Sequence, residues 1–438
     1  MRNTILTVVS VVESIVHSKF SNSNAYKWWV VLMLWFVCFF NYADRQVIYA
    51  VFPKLKEEFG FDKVQLGLIG SSFMWVYAAG APVAGFIGDR VRRKNLILGG
   101  CLFWSFVTVV TAWCSKFWHF VTVRALEGFG ETFYFPASMS VISDYHNKNT
   151  RSRAMSFHQT SVYLGTILGS WLGAWFAETI GWRLGFYFFG ITGIFLALVL
   201  YKLLGEPKRG ESERRSSLTS YPPLSPKETL HVIFHTPVVP LLMCAFVCAN
   251  FVATVFLTWT PTFLVEKFGF RLTTAGLSGT VFIHLASAIS VPLAGMLADY
   301  FMKKFDGGRM LVQAVGLIIG AFFVFQVGNT SDTTTLILSM TVYGLCKGFY
   351  DSGIFASLYD SIEPRARSSA AGLMNTVGWS GGALGPLFVG IASKYGNKPT
   401  EVENMSEAIA WCGAVYIVAS GLMLAAMYFS RTRQRKGE

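Results

Sequence analysis

The chain has 438 residues, 53% of them hydrophobic and only 14% charged, with a mean hydropathy of +0.45. That composition excludes an ordinary soluble globular domain and points to repeated passage through a lipid bilayer. The net charge of +12 would suggest nucleic acid as partner in a soluble protein, but basic loops beside anionic lipid headgroups account for it, so no nucleic-acid partner is expected.

The leading segment, residues 1–27, has an apolar run that Glu13 interrupts, and no small-residue cleavage site follows. It reads as an interfacial helix on the inner membrane surface and not as a cleaved signal. Charge-poor spans of roughly 20 residues then recur, the length that crosses about 30 Å of hydrocarbon as a helix. Twelve are expected, the first six at 28–50, 64–88, 95–115, 117–143, 153–177 and 182–204. The other six are at 237–265, 274–301, 309–328, 333–357, 366–393 and 406–429. Residues 205–236, polar and rich in Ser, Pro, Lys and Arg, read as a linker that buries too little apolar surface to fold alone. Residues 431–438 form a basic tail.

Positive charge gathers in alternate loops: Arg90, Arg92, Arg93 and Lys94 after span two, Lys148, Arg151 and Arg153 after span four, and Lys303, Lys304 and Arg309 after span eight. The positive-inside bias therefore puts both termini and the linker in the cytoplasm. The opposite loops mix signs, as in "PKLKEEFGFDK". Seven cysteines without a CxxC pair or a His/Cys cluster imply no disulfide framework and no metal site. No Walker-type GxxxxGK[ST] is present, which argues against a pump driven by ATP. The halves echo each other: "GFIGDRVRRK" at 85–94 returns as "GMLADYFMKK" at 295–304, and the stretch after span four returns after span ten. A duplicated six-span unit suits a transporter that rocks two bundles about a central site.

"GFIGDRVRRK" resembles the signature loop of the major facilitator superfamily, although Arg92 stands where that pattern usually has a second glycine. Within that superfamily, "NYADR" at 41–45, "SFMWVYAAGAP", "RALEGFGETFYFPA" at 124–137, "GWRLGFYFFG", "TWTPTFLV" and "GLMNTVGWSGGALGP" resemble the anion:cation symporters in kind and order. Spinster-type lipid transporters share the Asp-Arg of span one and the Arg and GxGE of span four, and stand as the nearest alternative. The resemblance covers essentially residues 28 to 430. It implies an all-α membrane protein with twelve transmembrane helices in two six-helix bundles, 28–204 and 237–430, lying in a cell membrane. It further implies a monomeric secondary transporter, not an enzyme, that carries a small organic anion with a proton by alternating access. A sugar acid such as a hexuronate or aldonate, or another carboxylate, fits that description; no cofactor is expected. Sodium coupling stays open, because Asn41, Asp44 and backbone carbonyls could bind it, and a non-transporting receptor is the remaining reading.

Charges inside the spans mark the candidate site. At 1.5 Å per residue Asp44 lies about 24 Å from the cytoplasmic end of span one, and Arg124 about 10 Å below the outer end of span four, at similar depth. Arg124, Glu127 and Glu131 share one helix face, which should point into a wet, protein-lined cavity because a bare charge in lipid costs at least ~2.5–3.5 kcal/mol. Asp44 is the expected partner of Arg124, leaving Arg45 to grip a carboxylate or phosphate, unless Arg45 serves only as a structural partner for Glu127 or Asp44. Glu131, matched by the resemblance and set among apolar neighbours, is the expected proton carrier, with Asp44 beside it; a plain structural hydrogen bond is its bland alternative. The resemblance adds Tyr77 and Asn375 as substrate contacts, and Tyr49, Tyr134 and Gln159 are further contacts by spacing. Lys347 and Asp351, at i, i+4, read first as a mutual ion pair. In the loop after span two, Gly85 favours close helix contact, Asp89 caps a neighbouring helix, and Arg90 and Arg93 reach Asp144, together latching the cytoplasmic ends of the bundles.

Overall fold

The computed structural model describes residues 24–88, 91–146, 148–207, 226–363 and 366–435, and all regular structure among them is helical. The first half holds α1 (Asn24–Ala50), α2 (Phe52–Phe59), α3 (Lys63–Gly88), α4 (Arg93–Thr111), α5 (Phe117–Glu131), α6 (Tyr134–Tyr145), α7 (Lys148–Thr179) and α8 (Trp182–Leu203). A short α9 (Pro226–His235) lies within the expected linker. The second half holds α10 (Val238–Phe268), α11 (Leu272–Lys304), α12 (Gly308–Asn329), α13 (Thr333–Asp351), α14 (Ile354–Ser361), α15 (Arg367–Gly382), α16 (Leu384–Tyr395) and α17 (Glu401–Arg435).

Eight of these, α1, α3, α4, α8, α10, α11, α12 and α17, are long and apolar enough to cross a membrane. Ile191, Phe195 and Leu198, spaced one turn apart on α8, are exposed, as a lipid-facing stripe should be. The short α2 and the long α10 end at Gly60 and Gly269, whose φ of 67° and 65° is the left-handed geometry that a glycine cap adopts without strain.

Three of the expected spans are broken. Span four divides at Thr132–Phe133 and span eleven at Ala383, and in each case a proline, Pro136 or Pro386, is the third residue of the helix that follows. A proline there has no N–H for the carbonyl four residues back and its ring crowds that carbonyl, so the helix stops and restarts. Span ten divides at Ser352–Gly353 without a proline; glycine loses the most backbone freedom in a helix, and the next turn restarts from the Gly353 carbonyl, 2.7 Å from the Ser357 N–H. The last helix runs on to Arg435, so the expected tail begins as helix.

The two halves pack by the same rule. In the first, α1 lies on α7, α3 on α5 and α4 on α8; in the second, α10 lies on α15, α11 on α13 and α12 on α17. These are the same three pairings of spans, one to five, two to four and three to six, repeated. Between the halves α7 meets α11, and α3 meets α15 and α16. Small residues allow it: a Cβ added at Gly67 would sit 2.5 Å from the Pro386 carbonyl oxygen, and one at Gly276 2.7 Å from that of Ser170.

Links between the halves gather at the end bearing the sign-mixed loops. Lys63 pairs with Glu266 at 2.7 Å, Lys56 with Glu401 at 3.0 Å and Lys394 with Asp62 at 2.6 Å, while the Thr273 N–H donates to Glu178 at 2.7 Å. Burial opposes the charge on Asp62, yet the Lys394 ammonium and the Gln65 N–H outweigh it and hold the carboxyl below its usual range. Slightly deeper, Ser71 donates to the Ala383 carbonyl and Gln46 to that of Leu257.

Candidate substrate and coupling site

Arg45 is the centre of the site. It projects from α1 and is 3% exposed, held against α5 by Glu131, whose Oε2 accepts from Nε at 3.0 Å and from Nη2. Four aromatic rings surround the guanidinium carbon: Tyr42 at 4.6 Å, Phe73 at 4.5 Å, Tyr77 at 5.3 Å and, from α15 in the other half, Trp379 at 5.7 Å. Such rings stabilise a cation through their negative faces without consuming its N–H groups. Arg45 Nη1 and Glu131 Oε1 are buried with no hydrogen-bond partner in the protein. A buried donor and acceptor left over in one place are groups that a ligand or water can satisfy.

The expected Asp44–Arg124 pair does not form. Arg124 turns to Glu127, one turn on along its own helix at 2.5 Å, and to the Tyr49 hydroxyl at 3.4 Å. Asp44 instead accepts from Thr108 on α4 at 3.3 Å, and its Oδ1 is buried without a partner. Each finds its partner elsewhere, Asp44 on α4 and Arg124 on its own helix, and Phe73 of α3 lies against both arginines, its ring 4.5 Å from Arg45 and 4.6 Å from Arg124. Glu127 is thus a direct ligand of Arg124, and Arg45 is paired with Glu131 and not with Glu127 or Asp44.

The other expected contacts are spread around this centre. Tyr77 stacks on Phe73 and meets Trp379 edge-on at 5.4 Å. Asn375 is half-buried on α15 one turn before Trp379, and so shares its face. Gln159, half-buried on α7, likewise shares a face with Tyr163. The Tyr49 and Tyr134 hydroxyls are already engaged, the first by Arg124 and the second by donating to the Leu34 carbonyl at 2.6 Å, beside His158 Nε2 at 2.8 Å. Lys347 and Asp351 are ion-paired with each other.

The expected latch differs in reach. Arg93 does pair with Asp144, and also binds Ser140 at 2.7 Å and Glu206 at 3.3 Å. All of these belong to the first half, so Arg93 ties α4 to α6 and to the chain after α8. Arg309 repeats the device in the second half with Asp299 at 3.0 Å and Asp360 at 3.6 Å. Asp89 and Arg90 lie outside the described residues, as does the surrounding of Gly85 within α3.

The profile of the Major Facilitator Superfamily matches residues 34–386 and 268–437. The chain belongs to the major facilitator superfamily. Among curated relatives, a chloroplastic sodium-dependent phosphate transport protein of Arabidopsis thaliana is 29% identical over 85% of this chain and 75% of its own length. A probable galactarate/D-glucarate transporter of Bacillus subtilis is 27% identical over 83% and 85%, and a spinster homologue of Xenopus tropicalis 27% over 93% and 82%. Among solved structures, a bacterial homologue of the human lysosomal transporter spinster superposes with a TM-score of 0.74 at 21% identity, covering 94% of this chain and 98% of that one. A D-xylose–proton symporter gives 0.72 at 17% identity over 93% and 97%. At that identity these structures establish the major facilitator fold alone.

Sequence reasoning missed the aromatic cage. Tyr42 was legible one turn before Arg45, and Trp379 one turn after Asn375, but nothing local says that α3 threads Phe73 between two arginines.

Proposed function

We propose that the protein is a proton-coupled symporter of a small organic anion, built of twelve spans in two bundles, 28–204 and 237–430. Both termini and the 205–236 linker are on the cytoplasmic side of a cell membrane, as the positive-inside bias requires. A hydroxylated sugar acid is the favoured substrate, since a curated relative is named for galactarate and D-glucarate and the cage offers Tyr77 and Asn375 to hydroxyls.

One observation carries the reading: a caged, always-charged guanidinium between the halves whose only ion partner among the described residues is a carboxylate that can be neutralised. An anion arriving at Arg45 takes over Nε and Nη2. Glu131, released, is then a bare carboxylate in a desolvated site and picks up a proton. Anion and proton are thereby loaded together. Alternating access would part the inter-half links at the sign-mixed end while the opposite end closes, and the reverse.

The test is uptake of labelled sugar acids into proteoliposomes under an imposed proton gradient, an imposed sodium gradient, or neither. Accumulation under the proton gradient alone supports the reading, and no accumulation of any anion under either gradient overturns it. Sodium coupling is the competing outcome, favoured by the unpartnered Asp44 Oδ1 and by the name of the Arabidopsis relative. A spinster-like carrier of a lysolipid is the second reading, favoured by the spinster relatives that match over most of the chain. Export of a labelled lysolipid with no sugar-acid uptake would select it.

A further inference from the structure

Glu131 and Asp351 occupy the same place in the two halves. Glu131 is the last residue of α5 and Asp351 the last of α13, and in both the next helix begins three residues later, at Tyr134 and Ile354. Side by side, "GFGETFYF" (128–135) and "GFYDSGIF" (348–355) keep Gly, Phe, an acid, a hydroxyl residue and a closing Phe in register. The packing agrees: a Cβ added at Gly128 would lie 2.4 Å from the Phe73 carbonyl on α3, and one at Gly348 would lie 2.9 Å from the Ser287 carbonyl on α11, the equivalent helix.

Each acid shields a cation, Arg45 in one half and Lys347 in the other. The Lys347 pair lies on the seam between halves, because Tyr163 of α7 is within electrostatic reach of both charges and its ring is 6.1 Å from that of His284 on α11. It is also more open than its counterpart, with side chains 16% and 33% exposed against 3% and 0%. The other titratable groups facing it are Tyr343 and Tyr350 on its own helix, Tyr416 on α17 and, behind Tyr350, Cys248 on α10.

We infer that Lys347 and Asp351 form a second anion subsite, so that the cargo is a dianion with one acidic group on Arg45 and the other on Lys347. This rests on the anion reading above and adds its valence. Arg45 and Lys347, each shielded by the acid at the equivalent place of its half, match two acidic groups; a monoanion would take one and leave the other on its own carboxylate. A dianion held by Arg45 and Lys347 would also tie the halves together, which is the contact that a rocking motion has to respond to.

Gluconate and glucarate share a six-carbon hydroxylated skeleton and differ by one carboxylate, so calorimetric binding of both to the purified chain isolates the subsite. Wild-type protein should bind glucarate at least about tenfold more tightly. The double variant Lys347→Gln/Asp351→Asn, which swaps the ion pair for a neutral amide pair of similar size, should lose that preference and keep its gluconate affinity. Asp351→Asn alone, which unshields Lys347, should tighten glucarate and leave gluconate unchanged. Equal wild-type binding of the two acids, an undiminished preference in the double variant, or an unmoved glucarate affinity in Asp351→Asn would each overturn the inference while leaving the anion reading in place. Folded wild-type protein that binds neither would remove both.

Discussion

Glu131→Gln tests the coupling directly. In the wild type a single carboxylate oxygen accepts from both Arg45 Nε and Nη2, the two N–H groups that would grip a planar anion in parallel. Anion and ionised Glu131 therefore compete one for one, and binding is linked to uptake of one proton. Where Glu131 is ionised in the empty protein and protonated in the complex, affinity should rise up to tenfold for each pH unit of acidification, or about 1.4 kcal/mol. Gln has no charge to displace. The variant should bind the anion as tightly at pH 8 as the wild type does at its acid limit, with a flat profile between. Calorimetric titrations from pH 5.5 to 8.5, paired with uptake and counterflow in proteoliposomes, measure this; the variant should lose accumulation driven by a proton gradient yet keep counterflow. A Gln variant with the wild-type slope would place the coupling proton elsewhere, with Asp44 and Glu127 next to be tested.

Arg45→Lys should fold but weaken anion binding by about 1.5–3 kcal/mol, roughly 10- to 150-fold, because an ammonium loses one of two charge-assisted hydrogen bonds and the broad guanidinium contact with the Phe73 ring; unchanged affinity in a titration would refute the assignment. Gly67→Val drives a branched side chain into the Pro386 carbonyl 2.5 Å away and should open the zipped end, read as faster labelling of a cysteine placed at the buried Ser71 by a membrane-impermeant maleimide. The Asp62–Lys394 link should respond to acid: a carboxyl held below its usual value contributes to closure above the ordinary aspartate range, near pH 4, and loses that contribution as pH falls through its lowered value. Scaled to the labelling rate of the unfolded chain at each pH, which removes the falling thiolate fraction, the same cysteine should therefore become more accessible in acid, and in Asp62→Asn it should be accessible at every pH.

The apolar runs and the basic loops carried much of the fold, since hydrocarbon thickness dictates span length and headgroup charge favours basic loops on one side. Breaks in three spans were readable in part: Pro136 and Pro386 announce two of them, but Gly353 looks like any of the 41 glycines of the chain until the carbonyl of its own helix is traced. In the site, Arg45, Glu131 and Arg124 stand out because charge inside a span is expensive. Their pairing could not be read from depth alone, since Asp44 and Arg124 match in expected height yet turn to Thr108 and Glu127, and depth does not say which way each helix face points. Lys63, by contrast, closes a stretch that in the sequence merely looks mixed in sign, and only the fold turns this first residue of α3 into a strut between the halves.

The pairing of the buried charges bears on how voltage acts. Arg45 with Glu131, Arg124 with Glu127 and Lys347 with Asp351 each sum to zero, so these six groups together carry no net charge through the field when the unloaded carrier turns over. Each elementary charge moved across the membrane is worth about 2.3 kcal/mol per 100 mV, so the potential is felt where the balance is broken, by Asp44 when ionised and by any excess of bound protons over anionic charge. A carrier wired in this way resets without electrical work from its arginines and lets the cargo decide whether a turn is electrogenic.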